Sequence, residues 1–140
     1  VTPSEKEQQL AGQLSTLPDA FERLNYLVDR ARHLPPPAPD ACTDTYKIPG
    51  CLADLWIVPE RSGSSWHFHS RSDAPVVGAV AGLLCEIYSG ASSSEILRFE
   101  PTILRKLGII DSLTPHRREG VHRMTTRIRD YVTMQQKTTP

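Results

Sequence analysis

Apolar residues lie at helical spacing toward both ends of the chain and at alternate positions between them. Phe21, Leu24, Val28 and Ala31 recur at offsets of three and four. Pro18 ahead of them suits a first helical turn, and Arg30, Arg32 and His33 collect at the end where a helix favours cations. This spacing predicts an amphipathic helix from about Pro18. Pro35-Pro36-Pro37 with Pro39 then ends it and imposes a stiff, extended connector toward Asp40 and Thr45.

From Leu52 to Val58 the period drops to two. Ala53, Leu55 and Ile57 share one face, the expected core side, while Leu52, Asp54, Trp56 and Val58 share the other. Pro59 to Ser65 has turn composition and Trp66-His67-Phe68-His69 alternates again, which predicts a hairpin with Trp66 and Phe68 inward. Ser72-Asp73-Ala74-Pro75 reads as a cap and first turn. Behind it Val76, Val77, Val80, Leu83, Leu84, Ile87 and Tyr88 cover most of a helix surface, so this is the expected central buried helix, with Cys85 inside it. Gly78 and Gly82 each cost such a helix about 1 kcal/mol relative to alanine, which points to close backbone packing on that side.

Gly90 ends the central helix. Ser92-Ser93-Ser94-Glu95 has the spacing of a capping box for a short helix through Leu97, and a further short helix is expected from Pro101 to Leu107, stopped at Gly108. The last helix is the clearest: Thr114 as cap, Pro115 at the first helical position, then Val121, Met124, Ile128, Tyr131 and Val132 on one stripe. Ser4 to Gln13 reads as a short polar helix or frayed end with little to bury. The reading is one α+β domain over residues 1–140, a small antiparallel sheet packed against several helices, with residues 1–16 a polar N-terminal segment and 135–140 a disordered tail.

Composition narrows the function classes. Sixteen Lys plus Arg balance sixteen Asp plus Glu, so no net field recruits nucleic acid or an anionic membrane, and neither is an expected partner. No apolar run approaches the roughly 20 residues of a membrane span, and the polar start Val1 to Gln9 lacks a signal-peptide core, so a cytoplasmic location is expected. Three cysteines, an odd number, do not form a disulfide framework and read as free thiols.

One of those thiols organises the rest. Cys51 follows Pro49-Gly50 and precedes a strand, a loop position from which a thiolate can meet another macromolecule. A half-buried structural cysteine is the plain alternative. Cys85 belongs to the core, and Cys42, in the proline-rich connector, is either a resolving thiol or an incidental one. His67 and His69 point to one side of a strand and invite a metal site with Cys51 or Asp54. No further ligand follows from local spacing, and an exposed polar hairpin face is the preferred reading. His116, Arg117, Arg118, Arg123, Arg127 and Arg129 make the last helix basic: a solvated face, a docking surface for an acidic partner, or a source of support for a thiolate.

Four stretches in order carry a family pattern: Leu27 to Pro35; Ile48-Pro49-Gly50-Cys51 followed by Leu55-Trp56; Ser72-Asp73-Ala74 with the helix Val77 to Leu84; and Leu113-Thr114-Pro115-His116-Arg117 with Gly120. Together, over roughly Pro18 to Arg129, they resemble the SufE family of sulfur-acceptor proteins, which work with cysteine desulfurases in iron–sulfur cluster assembly. The resemblance implies a SufE/IscU-like fold and a protein without a cofactor of its own. It also implies that Cys51 accepts persulfide sulfur from a PLP-dependent cysteine desulfurase, stimulates that enzyme, and relays sulfur to an iron–sulfur cluster scaffold, the protein being a monomer or homodimer. Gly50 would give the loop mobility, Asp73 would position the loop or contact a partner, and Arg117 would supply electrostatic support or docking. The chain departs from the pattern at Leu52-Ala53-Asp54, where the family usually has Gln-Ser-x, and at Pro75 and Glu119. Loss of that polar flank motivates a second reading, a SufE-fold interaction protein that docks without transferring sulfur.

Overall fold

The computed structural model describes residues 1–50 and 53–138, with side chains through Gln135; Cys51, Leu52, Thr139 and Pro140 lie outside the described residues. The elements in order are α1 (Pro3–Leu14), α2 (Ala20–Ala31), a 3-10 turn (Pro39–Ala41), β1 (Leu55–Ser62), β2 (Ser65–Ser72), α3 (Pro75–Tyr88), β3 (Ala91–Ser92), α4 (Ser93–Arg98), α5 (Ile103–Lys106), α6 (Ile109–Ser112) and α7 (Pro115–Thr138). The strands form one antiparallel sheet in the order β1-β2-β3, and the helices pack around it, an α+β architecture.

The central element is α3, as its all-round hydrophobicity requires. Ala79 to Cys85, Ile87 and Tyr88 are all buried. Leu55, Ile57, Trp66 and Phe68 of the sheet join them in one core, together with Met124, Ile128 and Val132 of α7. Against α2 the helix closes tightly at Gly82. A Cβ there would come 3.1 Å from Leu34 Cδ1 and 3.4 Å from Ala31 Cβ. The absent side chain is what lets the two backbones approach.

Several elements differ from their sequence patterns for identifiable reasons. Residues 3–14 are an ordered helix, not a frayed polar end: Thr2 and Glu5 form a capping box, and Leu10 and Leu14 are buried. Glu7 on the same face accepts from Thr102 N at 2.8 Å and Ile103 N at 3.2 Å, so its carboxylate satisfies the first amides of α5. Helix α2 starts at Ala20, two residues after Pro18, with Asp19 as its cap, and its buried residue is Leu27 at 1% exposure, whereas Phe21 is 69% exposed. Strand β1 does not stop at Pro59. It runs to Ser62, pairing Pro59 with Phe68, because β1 is an edge strand where a missing amide costs no ladder bond. The single short helix expected over 101–107 becomes two short turns of helix, α5 and α6, separated by Gly108. Finally α7 continues through Thr138, past the Gln135 where a tail is expected; the good helix formers Gln135, Gln136 and Lys137 let the helix propagate beyond its last core residue, Val132.

Candidate functional site

The segment that contains Cys51 is fastened at both ends. On its N-terminal side Tyr46 to Ile48 run antiparallel to the start of β1: Lys47 bridges Trp56, Ile48 N donates to Leu55 O at 2.8 Å, and Ile57 N donates to Tyr46 O at 3.1 Å. Residues 49–54 are thereby closed into a loop. Lys47 Nζ and Asp54 Oδ1 pair across its base at 3.0 Å, and the Lys47 ammonium also lies 5.7 Å from the Trp56 ring centroid. The hydrogen bond and charge of Asp54, with smaller contributions from Asp44 and Asp73, raise the Lys47 pKa above its ordinary value. Asp54, three residues beyond Cys51 in sequence, therefore carries its own counter-charge.

A second tie comes from the Ser-Asp-Ala segment. Ser72 Oγ donates to Asp54 O at 2.7 Å and accepts from Ala74 N at 3.2 Å, so one hydroxyl joins the C-terminal limb of the loop to the entry of α3. Tyr131 Oη of α7 donates to Ile57 O at 3.0 Å and holds β1 behind the loop.

The start of α7 faces the same loop. Gly50 has φ +79°, and a Cβ on it would stand 2.8 Å from Arg123 Nε and 3.0 Å from Arg123 Cζ. The position needs glycine twice over, for the left-handed backbone and for the guanidinium packed on it. Arg123 pairs with Glu119 at 3.4 Å, while its Nη1 is buried with no hydrogen-bond partner among the described residues. A small cavity of about 70 Å³ is lined by Ala53 and Ala74, by Val77 and Val80 of α3, and by His116, Arg117 and Met124 of α7. The Nε2 of His116 is shielded from solvent and has no hydrogen-bond partner among the described residues.

Each residue predicted for the site has a definite place, except the central one: Cys51 lies outside the described residues. Gly50 stands against Arg123. Arg117 borders the small cavity, and its backbone N donates to the Thr114 cap at 3.3 Å. Asp73 is exposed and borders a different, larger groove of about 490 Å³ between α2, β2 and α3, with Ala74 bordering both spaces. Within its triplet it is Ser72 that makes the loop contacts. Cys85 is buried, and burial pushes its thiol up to about 12 against a smaller opposing effect of a hydrogen bond with Ser70. Cys42 is a half-buried free thiol whose Sγ lies 3.9 Å from Ala38 O. His69 uses both ring nitrogens, with Glu60 Oε2 at 3.0 Å and Pro35 O at 3.3 Å, and no group of three or more metal-ligating side chains stands together among the described residues. Three residues around the site were not singled out in the sequence: Ser72 was read as a cap within the Ser-Asp-Ala segment, and Arg123 and His116 as members of the basic last helix.

A three-stranded antiparallel sheet with several helices packed around it defines an α+β protein. Comparison with known proteins agrees. The profile of the SufE domain, described as associated with Fe-S metabolism, matches residues 8–132. An uncharacterized SufE-like protein of Rhizobium etli is 30% identical over 119 residues, covering 81% of this chain and 80% of its own. Another from Rhizobium meliloti is 28% identical over 126 residues, covering 86% and 90%. The solution structure of a hypothetical protein from Thermus thermophilus superposes with a TM-score of 0.79 at 26% identity, covering 99% of each chain. The chain belongs to the SufE family, and that membership supports a sulfur-transfer role in Fe–S metabolism. No helix among the described residues is long and apolar enough to cross a membrane.

Proposed function

We propose that the protein accepts sulfane sulfur on Cys51 from the persulfide of a PLP-dependent cysteine desulfurase, stimulates that enzyme by removing its product, and relays the sulfur to an iron–sulfur cluster scaffold. The observation that carries this reading is the pair of ties flanking the thiol in sequence, the Lys47–Trp56 bridge and the Ser72–Asp54 hydrogen bond, together with the Arg123 guanidinium packed on Gly50, the residue that precedes the thiol. A fastened base lets a short loop reach into a partner without unravelling the strand behind it.

The chemistry is thiol–persulfide exchange. The Cys51 thiolate attacks the outer sulfur of the donor's persulfide, and a new sulfur–sulfur bond forms on Cys51. The bond between that sulfur and the donor cysteine breaks, and its electron pair stays on the donor as thiolate. No external oxidant or reductant is consumed. Arg123 supplies positive charge beside Gly50, which favours the thiolate and the persulfide anion over their protonated forms. Arg117 serves docking or electrostatic support from the α7 end, and Asp73 contacts the partner or positions the loop from the other side. The reading treats the chain as one functional unit.

The test is stimulation of a desulfurase assayed by sulfide release from L-cysteine. The native chain should raise turnover, and Cys51→Ser should abolish the rise while retaining binding. Full stimulation by Cys51→Ser would overturn sulfur acceptance and leave a docking protein that acts without its thiol.

A further inference from the structure

We propose that the groove of about 490 Å³ between α2, β2 and α3 docks an extended acidic segment of a partner protein, which adds to the free edge of β2 as a further strand. The inference stands whether or not Cys51 accepts sulfur.

The free edge follows from the register of the sheet. Ile57 donates its amide to Tyr46 O and accepts Tyr131 Oη at its carbonyl, so its own backbone groups are spent away from β2, and Ile57–Ser70 is a pair without mutual hydrogen bonds. The N–H and C=O of Ser70 therefore point to the opposite edge of β2. The same holds for Ser72, whose partner Leu55 gives its carbonyl to Ile48 N. The beginning of that edge is occupied: β3 pairs with Ser65 and Trp66, and Phe68 N donates to Ser89 Oγ at 3.0 Å. Beyond Phe68, no hydrogen bond reaches the backbone N–H or C=O of Ser70 or Ser72 among the described residues. Both residues line the groove. Folded proteins blunt or cover such an edge, and an uncovered one accepts an extended peptide through main-chain hydrogen bonds.

Gly78 is an independent observation. Glycine inside a helix is less favourable than alanine, and at Gly82 the close approach of α2 accounts for it. Gly78 has no such reason. Its φ is not positive, and within 4 Å a Cβ there would meet only Ser72 Cβ beyond its own helix, at an ordinary 3.9 Å. Gly78 lines the groove, so a side chain at this position would take up space that the glycine leaves open beside the strand edge.

Charge selects the occupant. Arg32 and Arg71 line the groove, and neither guanidinium pairs with a carboxylate among the described residues. Of the two acids that line it, Glu86 is engaged by Arg30, which leaves Asp73 alone against both arginines. His69 is engaged by Glu60 and Pro35, and His67 adds no negative charge. The excess is positive and favours an acidic partner. Arg71 lies on the face of β2 opposite to buried Trp66 and Phe68, and a strand added beside it alternates in the same way. Val28, Leu34, Pro35 and Pro36 supply apolar lining. The expected segment thus alternates acidic residues, on the Arg71 face, with apolar ones.

The test selects displayed random peptides of about ten residues on the full chain and measures the affinity of the enriched ones by fluorescence polarisation. Enriched peptides should carry acidic residues at alternate positions, and their binding should slow amide exchange at Ser70 and Ser72. Arg71→Glu and Gly78→Leu should each weaken binding at least about tenfold, and either one that unfolds cooperatively suffices. Gly78→Ala should raise the thermal unfolding midpoint, since the fold itself does not need the glycine. No enrichment over a surface without the protein, enriched peptides that lack acidic residues, unchanged exchange at Ser70 and Ser72, or native affinity in a folded variant would each overturn the proposal. A lowered midpoint in Gly78→Ala would do the same, because packing would then account for the glycine. None of these readouts passes through sulfur uptake, so their failure leaves the role of Cys51 untouched, and the reverse.

Discussion

At Gly50 two constraints coincide that either alone would leave negotiable. A side chain there would adopt a positive φ, at about 1–2 kcal/mol, and would also push into the Arg123 guanidinium. Gly50→Ala should therefore lower stability by about 1–2 kcal/mol in urea unfolding and slow sulfur acceptance more than a comparable core lesion would. Combining it with Arg123→Ala should relieve the clash and recover part of the stability, though not the rate. A double variant no more stable than Gly50→Ala alone would show that Arg123 is not what opposes the new side chain. The glycine and cysteine were legible in the sequence because turn chemistry and family pattern both mark them. Arg123 was visible only as one of several basic residues on the last helix. Its contact joins residues far apart in the chain, and no local spacing encodes it. Asp54 shows the same limit from the other side: beside a thiol it reads as an unwelcome charge, whereas the fold pairs it with Lys47.

Among the elements, the tie between the C-terminal limb of the loop and the entry of α3 lies in one hydroxyl. Ser72→Ala removes the bonds to Asp54 O and from Ala74 N, and about 1 kcal/mol of stability should go with it. The larger effect should be local: hydrogen exchange at Ile48 and Leu55, beside the loop base, should accelerate, and exchange within α3 should not. Uniform acceleration would mean that Ser72 acts on global stability only. By contrast Glu7→Ala should cost about 1–3 kcal/mol by stranding the amides of Thr102 and Ile103, while desulfurase stimulation per folded molecule stays native. Stimulation lost in proportion to Glu7→Ala would tie α1 to function rather than to support. That first helix was underestimated from sequence because two leucines four apart make a thin apolar signal. Its merit lies in a carboxylate that reaches across to α5. In the α2 stripe Leu24 and Val28 do pack on the core, whereas Phe21 is exposed and Leu27, outside the drawn stripe, is the residue buried.

In the whole molecule, α3 gathers α1, α2, the sheet and α7 around one core. This much was legible, since a helix apolar on nearly all sides can only be central, and capping-box and Thr-Pro signals placed the helices near it. The approach of the α7 start to the loop was legible only through the family resemblance, by way of Arg117, and the contact of Arg123 with Gly50 is a product of packing that no single stretch encodes. The core also sets the alkaline limit of stability. Burial holds the Cys85 thiol and the Tyr88 and Tyr131 phenols at about 12, above their ordinary values of 9.0, 10.0 and 10.0. Each folded-state pKa is raised, so the unfolded chain releases its protons first. The stabilisation is fully present below about pH 9 and declines as pH rises toward about 12. The urea midpoint should fall across that window, and Tyr131→Phe should flatten the fall. A midpoint constant from pH 9 to 11 would mean that these groups ionise in the folded state as readily as in the unfolded one.

The most direct test of the central claim is intact-mass analysis after incubation with a cysteine desulfurase, its PLP and L-cysteine, on the native chain and on Cys51→Ser, each with and without reductant. A gain of about 32 Da, one sulfur atom, that reductant removes and that Cys51→Ser cannot acquire is the predicted result. The same adduct on Cys51→Ser, or none on folded native protein from a desulfurase that it measurably binds, would contradict it.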